Sequence, residues 1–299
     1  MKNSFFKKIR NLSIVVIIYF FKVILLFLPM RIVMRCGEIF GVIFSFFMKK
    51  EKLIICKNLD IVYGKNKFSD KEKRDFIIKN FKNYGRGLFE FIKISISAPE
   101  KIVSLVKETN GLEYFYKAKE EGRSLIGITA HFGNWELIPI YLKYKGFNIG
   151  VIGKKLFDDR IDKIVYSART RIGVKAYDRD IVSRDMIIEL KERGLMLGVL
   201  VDQDTDVDSI IIPFLGVDAK TPIGPAVLAK HYNSYILTLF CVRRPDGYYN
   251  LIINKPYDIN KEDSIEKIVH LYNADISKMI MNYPEQWAWI HDRFKSVVR

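Results

Sequence analysis

Between residues 124 and 253, four short apolar runs alternate with longer amphipathic stretches, and this rhythm restricts the fold more than any other feature. SLIGITA (124–130), NIGVIG (148–153), LMLGVLV (195–201) and YILTLFCV (235–242) have the length and composition of buried strands. Helical patterns fall between them at about 134–145, 158–172, 180–193 and 221–232, and Gly146, Gly173 and Gly194 stand where helices stop. Alternating strand and helix specifies an α/β fold with a central, mostly parallel sheet flanked by helices. RRPDGYYNLII (243–253) contains a Pro-Asp-Gly turn, so 235–253 is expected to close as an antiparallel hairpin near the C-terminus. A last amphipathic helix is expected over about 262–282, ahead of Trp287 and Trp289. Upstream, 51–100 reads as helical, with Phe81, Tyr84, Leu88, Phe91 and Ile92 at helical spacing.

Residues 12–30 (LSIVVIIYFFKVILLFLPM) are broken only by Ser13 and Lys22, about the length that crosses a bilayer core of roughly 30 Å. A second apolar segment, Cys36–Met48, is too short to span. Lys2, Lys7, Lys8 and Arg10 precede the unit and Lys49, Lys50 and Lys52 follow it, which puts both ends on the cytoplasmic side. Two geometries fit: a single span, or a helical pair lying in the cytoplasmic leaflet. The expectation is an N-terminal hydrophobic membrane helix within an anchoring segment, 1–50, followed by one catalytic domain, 51–299. The 49 Lys+Arg against 34 Asp+Glu give a net charge of +15, which suits nucleic acid, an anionic membrane face or an acidic carrier protein. Cys36, Cys56 and Cys241 form no CxxC pair, so neither a zinc site nor a disulfide framework is indicated.

The chemistry concentrates in TAHFGNWEL (129–137). His131 follows a strand directly, where open α/β sheets gather reactive groups. Gly133 and Asn134 lead into the next helix, and Glu136 falls in its first turn. A carboxylate at that spacing can hold one imidazole nitrogen, leaving the other to take a proton from a substrate hydroxyl. This is triad logic with the alcohol supplied by the substrate, and it leads to direct acyl transfer with no metal. The competing reading makes Glu136 a solvated helix residue. A serine-hydrolase elbow is excluded because GRSLI (122–126) lacks the final glycine, and no GxxxxGK[ST] loop exists. DQDTDVD (202–208) is not a calcium loop, since Val207 and Pro213 occupy the positions that need Gly and Glu. Asp202 and Gln203 do follow a strand, on the sheet edge of His131, where they can hold a hydroxylated or phosphorylated acceptor. Arg169, Arg171 and Lys154 offer phosphate contacts on the same side, although helix-end cations are favourable for dipole reasons alone.

Taken together these segments resemble the bacterial lipid A biosynthesis acyltransferases, the late lauroyl/myristoyl family. The resemblance rests on KNLDIVYG (57–64), TAHFGNWE (129–136), RTRIG (169–173), VDQD (201–204), IIPFLGVDAKTPIGPAVLAK (211–230) and PEQWAWIHDRF (284–294). It implies an enzyme of the inner membrane, with its catalytic domain facing the cytoplasm. It also implies acyl carrier protein, or acyl-CoA, as donor and a lipid A precursor as acceptor, with no cofactor, metal or nucleic acid. His131 and Glu136 match the family's catalytic pair, and Arg169 matches an active-site arginine that Arg171 could replace. The proposed oxyanion donors are Arg169 or a backbone N–H near Gly133 and Asn134. The alternative is transfer to another lipid, a lysophospholipid or glycolipid; the absence of an EGTR-like block disfavours a glycerol phosphate acceptor.

Overall fold

The computed structural model describes residues 2–155, 158–181, 183–260 and 262–298, with side chains from residue 11 onward. The N-terminal third is helical: α1 (Lys2–Phe27), α2 (Met30–Ser45), α3 (Lys49–Tyr63) and α4 (Asp70–Ile94). Ser69 and Glu72 start α4 with a reciprocal capping box. A short α5 (Pro99–Val103), β1 (Val106–Asn110) and α6 (Glu113–Glu120) then lead into the alternating region. There follow β2 (Leu125–Thr129), α7 (Leu137–Tyr144), β3 (Ile149–Gly153), α8 (Asp159–Thr170), β4 (Lys175–Asp178), α9 (Arg184–Glu192) and β5 (Met196–Leu200). The C-terminal part adds β6 (Ser209–Phe214), β7 (Val217–Pro222), α10 (Gly224–His231), β8 (Tyr235–Arg243), β9 (Tyr249–Ile253) and α11 (Ile265–Asn282).

Among the described residues, seven strands form one sheet in the order β1-β9-β8-β2-β5-β3-β4. Every neighbouring pair is parallel except β8–β9, the hairpin expected from the Pro-Asp-Gly turn. Strand alternation divides the core. Ile126, Ile128, Ile236 and Phe240 join one apolar cluster with residues of α3, α9, α10 and α11. Leu125, Leu237 and Leu239 join another, with residues of α5, α6 and α7. β1, β4 and the antiparallel β6–β7 ribbon were not anticipated; β1 (VKETN) and β4 (KAYD) are short and polar, and β6 (SIIIPF) is apolar but pairs only with the polar β7, outside the main sheet.

The N-terminal membrane helix expected from sequence is corrected. Among the described residues no helix is long and apolar enough to cross a membrane. The first turns of α1 carry Lys2, Lys7, Lys8 and Arg10, and its apolar stretch begins only after them. Lys22 interrupts it, and Pro29 begins a new helix immediately after. α1 is also fastened to α4, where Lys93 Nζ donates to the carbonyls of Leu25 and Leu26 at 2.7 and 3.0 Å. α2 lies against α4 with backbones in contact: a Cβ on Gly37 would come 2.6 Å from the Gly85 carbonyl oxygen.

Candidate functional site

The turn after β2 is stapled from both sides. Gly133 adopts φ 58°, a conformation that favours glycine, and an added Cβ would collide with the Cys241 carbonyl oxygen. Its N–H donates to the Gln286 carbonyl (3.0 Å) and that of Asn134 to the Cys241 carbonyl (3.1 Å). The His131 carbonyl accepts from the Ala288 N–H at 3.0 Å. The strand ends and the C-terminal segment thus fix His131 before its side chain makes any contact. Both turn N–H groups proposed as oxyanion donors are already engaged.

The carboxylate on His131 is that of Asp202, not Glu136. Asp202 Oδ1 lies 2.9 Å from His131 Nδ1, while Oδ2 accepts from the His131 backbone N–H (2.9 Å) and from Trp287 Nε1–H (2.8 Å). Asp202 is 1 % exposed. Burial by itself would raise its pKa, but the charge and hydrogen bond of His131, with the indole N–H, hold it well below the usual carboxylate range. Sheet register explains the pairing. Thr129 lies opposite Leu200 on parallel β2 and β5, so His131 and Asp202 each stand two residues beyond one paired position.

Glu136 pairs instead with Arg169, in the last turn of α8. Nε and Nη2 of the guanidinium donate to its two carboxylate oxygens at 3.0 and 2.5 Å. Burial opposes the guanidinium charge, yet the facing carboxylate raises the Arg169 pKa overall. His131 and Glu136 still face one cavity of about 290 Å³, whose wall also includes Tyr84, Trp135 and Ala288.

The remaining sequence candidates separate. Gln203 Nε2 is 3.3 Å from both ring nitrogens of His131, equidistant and so aligned with neither lone pair; its short contact is to His291 Nε2 at 2.7 Å. Asn134 turns its amide inward to the buried Glu90 (3.1 Å). Arg171 holds the carbonyls of Ile94, the last residue of α4, and of Ser97 just after it, a structural rather than ligand contact. Lys154 is exposed at the end of β3.

Two site residues escaped the sequence reading. Trp287 holds the second oxygen of Asp202, and His291 lies with its ring 5.3 Å from that of His131. Burial, reinforced by the His131 charge and opposed by Asp202, pushes the His291 imidazole down to about 4. Both belong to WAWIHDRF, a segment whose density of Trp, His and Arg was the available signal.

A family model for bacterial lipid A biosynthesis acyltransferases matches residues 3–296. The chain belongs to that family. It is 28% identical over 272 residues to the lipid A biosynthesis lauroyltransferase of Escherichia coli K12, covering 90% of this chain and 87% of the relative. It is 25% identical over 283 residues to the lipid A biosynthesis palmitoleoyltransferase of the same organism, with the same coverage of each. A more distant relative is the phosphatidylinositol mannoside acyltransferase of Mycolicibacterium smegmatis, 20% identical over 189 residues, 60% of this chain and 62% of the relative. Family membership makes the chain an acyltransferase.

Proposed function

We propose that the protein transfers a fatty acyl group from an acyl carrier protein thioester to a hydroxyl of a lipid A precursor, with His131 as general base. The observation that carries this reading is the bond from His131 Nδ1 to the buried Asp202 carboxylate. An anionic partner fixes the proton on Nδ1 and leaves the Nε2 lone pair to accept the acceptor's proton. The alkoxide oxygen bonds to the thioester carbon, the C–S bond breaks, and the departing thiolate takes the proton back from the imidazolium. Asp202 stabilises the imidazolium between the two steps. Glu136 orients Arg169, whose Nη1 is not among the two nitrogens facing the carboxylate and serves the developing oxyanion.

The donor assignment is supported by the +15 charge, which favours docking of an acidic carrier. Attachment to the inner membrane on its cytoplasmic face is supported by large apolar side chains left open on and beside the first helices. Phe27, Phe46, Phe47 and Leu53 are each at least 69% exposed. Sedimentation with anionic vesicles checks attachment: the wild type pellets, and Phe46→Ser/Phe47→Ser pellets less.

The test of the function is mass spectrometry of lipid product. Purified protein receives acyl carrier protein thioesters and a tetra-acylated lipid A precursor. One added acyl mass, lost in His131→Ala, is expected. Product from His131→Ala at the wild-type rate, or none from folded wild type while a phospholipid acceptor is acylated, overturns the proposal.

A further inference from the structure

On the α7 side of the sheet a narrow apolar cleft runs from Glu136 and Arg169 inward toward Phe115 and Met196. Its floor contains Gly127 on β2 and Gly198 on β5, and these two are register partners on adjacent strands. Neither has a positive φ, so no backbone conformation calls for glycine at either place. Glycine inside a buried strand sacrifices packing and conformational restriction, and close approach of a second group is its usual reason.

At Gly127 the close group is Leu239, whose Cδ2 would come 2.9 Å from an added Cβ. At Gly198 no such group exists. A Cβ there would meet only Val151 Cγ1 at 3.5 Å and the Gly150 carbonyl oxygen at 3.7 Å, both ordinary contacts. No atom of α7 is among these neighbours, so the helix does not rest on Gly198. The absent side chain at Gly198 leaves a groove beneath it. Ile138 and Leu142 of α7 lie above and Val151 and Leu239 beside. From Leu200 near the mouth to Met196 the strand rises about 13 Å, at roughly 3.3 Å per residue.

The mouth carries a second observation. Thr129 lines the cleft two residues before His131; it is 7 % exposed, and its hydroxyl is buried without a hydrogen-bond partner. A buried hydroxyl left unpaired calls for a partner, which a ligand acceptor in the cleft would supply. Trp135 and Glu136 line both this cleft and the cavity of His131, so the two spaces meet there.

We infer that the cleft holds the linear apolar chain of the donor thioester, and that the space left at Gly198 sets the chain length it accepts. The inference rests on the proposed acyl transfer and deepens it. The chain lies in the groove, the Thr129 hydroxyl meets the thioester carbonyl, and the carbonyl carbon stands at the lip shared with the His131 cavity.

The decisive variant is Gly198→Val, with Gly198→Ala as the milder one, since its methyl fits at ordinary contact with Val151. The purified full chain receives an equimolar mixture of C10, C12, C14 and C16 acyl carrier protein thioesters with the lipid A precursor, and products are weighed by mass spectrometry. Each methylene excluded from an apolar site loses about fourfold in binding. The ratio of longest to shortest product is therefore expected to fall about tenfold or more in Gly198→Val, and by less, in the same direction, in Gly198→Ala. An unchanged profile in folded variants overturns the inference, as does a loss uniform across lengths.

Melting temperatures with free fatty acids of the same lengths separate the two claims. Length-dependent stabilisation of wild type that Gly198→Val removes sustains the cleft even if no lipid A precursor is acylated, in which case the acceptor assignment fails alone. No length-dependent stabilisation of wild type overturns the cleft.

Discussion

Asp202 Oδ2 accepts two hydrogen bonds, from the His131 backbone N–H and from Trp287 Nε1–H, while Oδ1 faces His131 Nδ1. This three-point arrangement dictates what an amide would do in its place. In Asp202→Asn the carbonyl oxygen must sit where Oδ2 sits, because both groups there are donors. The amide NH₂ then faces Nδ1 and forces it to accept, which moves the imidazole proton to Nε2 and blocks proton uptake from the substrate. Asp202→Asn should fold normally and lose about 10²–10⁴ in kcat, the range of general-base catalysis. Steady-state rates on the lipid product with a circular-dichroism melt check it; wild-type turnover would remove Asp202 from the mechanism.

Glu136 and Arg169 form the second charged unit, and their bidentate geometry makes them one device. Glu136→Ala and Arg169→Ala should each lower kcat/KM by roughly 10²-fold, with the double variant no worse than the weaker single. Asp202→Asn combined with Glu136→Gln should instead approach the product of the separate losses. A double-mutant cycle on rates measures both. Strong coupling of Glu136 to Asp202, and none to Arg169, would return the orienting role to Glu136.

His291 gives the molecule an acid-side liability. Its imidazole is held at about 4, below the ordinary value near 6.5 that it regains on unfolding. Between these values the unfolded chain binds a proton that the folded chain refuses, so stability rises with pH across the window and is lost as pH falls from 6.5 toward 4. The loss is roughly 1–3 kcal/mol, allowing for partial exposure. His291→Gln should flatten the dependence of Tm on pH over that window. A slope equal to wild type would show that other groups carry it.

The sequence disclosed the elements far better than their adjacency. The runs 124–130, 148–153, 195–201 and 235–242 each became a parallel-sheet strand, and the Pro-Asp-Gly hairpin closed where the turn residues required. Strand order is another matter. β5 lies beside β2 although β3 and β4 come between them in the chain, and no local pattern reports that. For that reason His131 was legible as a reactive residue, yet its carboxylate was sought five residues away rather than seventy-one. The spacing from His131 to Glu136 was real, but the helix start turned Glu136 toward Arg169. The apolar N-terminus illustrates a different limit: hydropathy registered its greasiness, not its fastening to α4 through Lys93.

Behind the site, Arg243 Nη2 donates to Glu90 at 2.7 Å with both side chains buried, and the same carboxylate oxygen receives the Asn134 amide at 3.1 Å. One ion pair therefore ties α4 to the β8–β9 hairpin and to the turn that presents His131. Burial opposes the guanidinium charge, but Glu90 and Tyr249 raise the Arg243 pKa overall, so the guanidinium stays charged. Arg243→Met strands a buried carboxylate and should cost about 3–5 kcal/mol, read from the denaturant midpoint. Arg243→Met/Glu90→Leu removes both charges and should recover most of that stability, since an apolar replacement of the whole pair carries no desolvation penalty. Activity should not recover with it. Without Glu90 the Asn134 amide keeps only its longer bond to the Tyr249 hydroxyl (3.4 Å), and the His131 turn loses the contact that anchors it to α4. If the double variant is as active as wild type, the pair serves the fold alone and the turn is held sufficiently by its backbone bonds to Cys241 and Gln286.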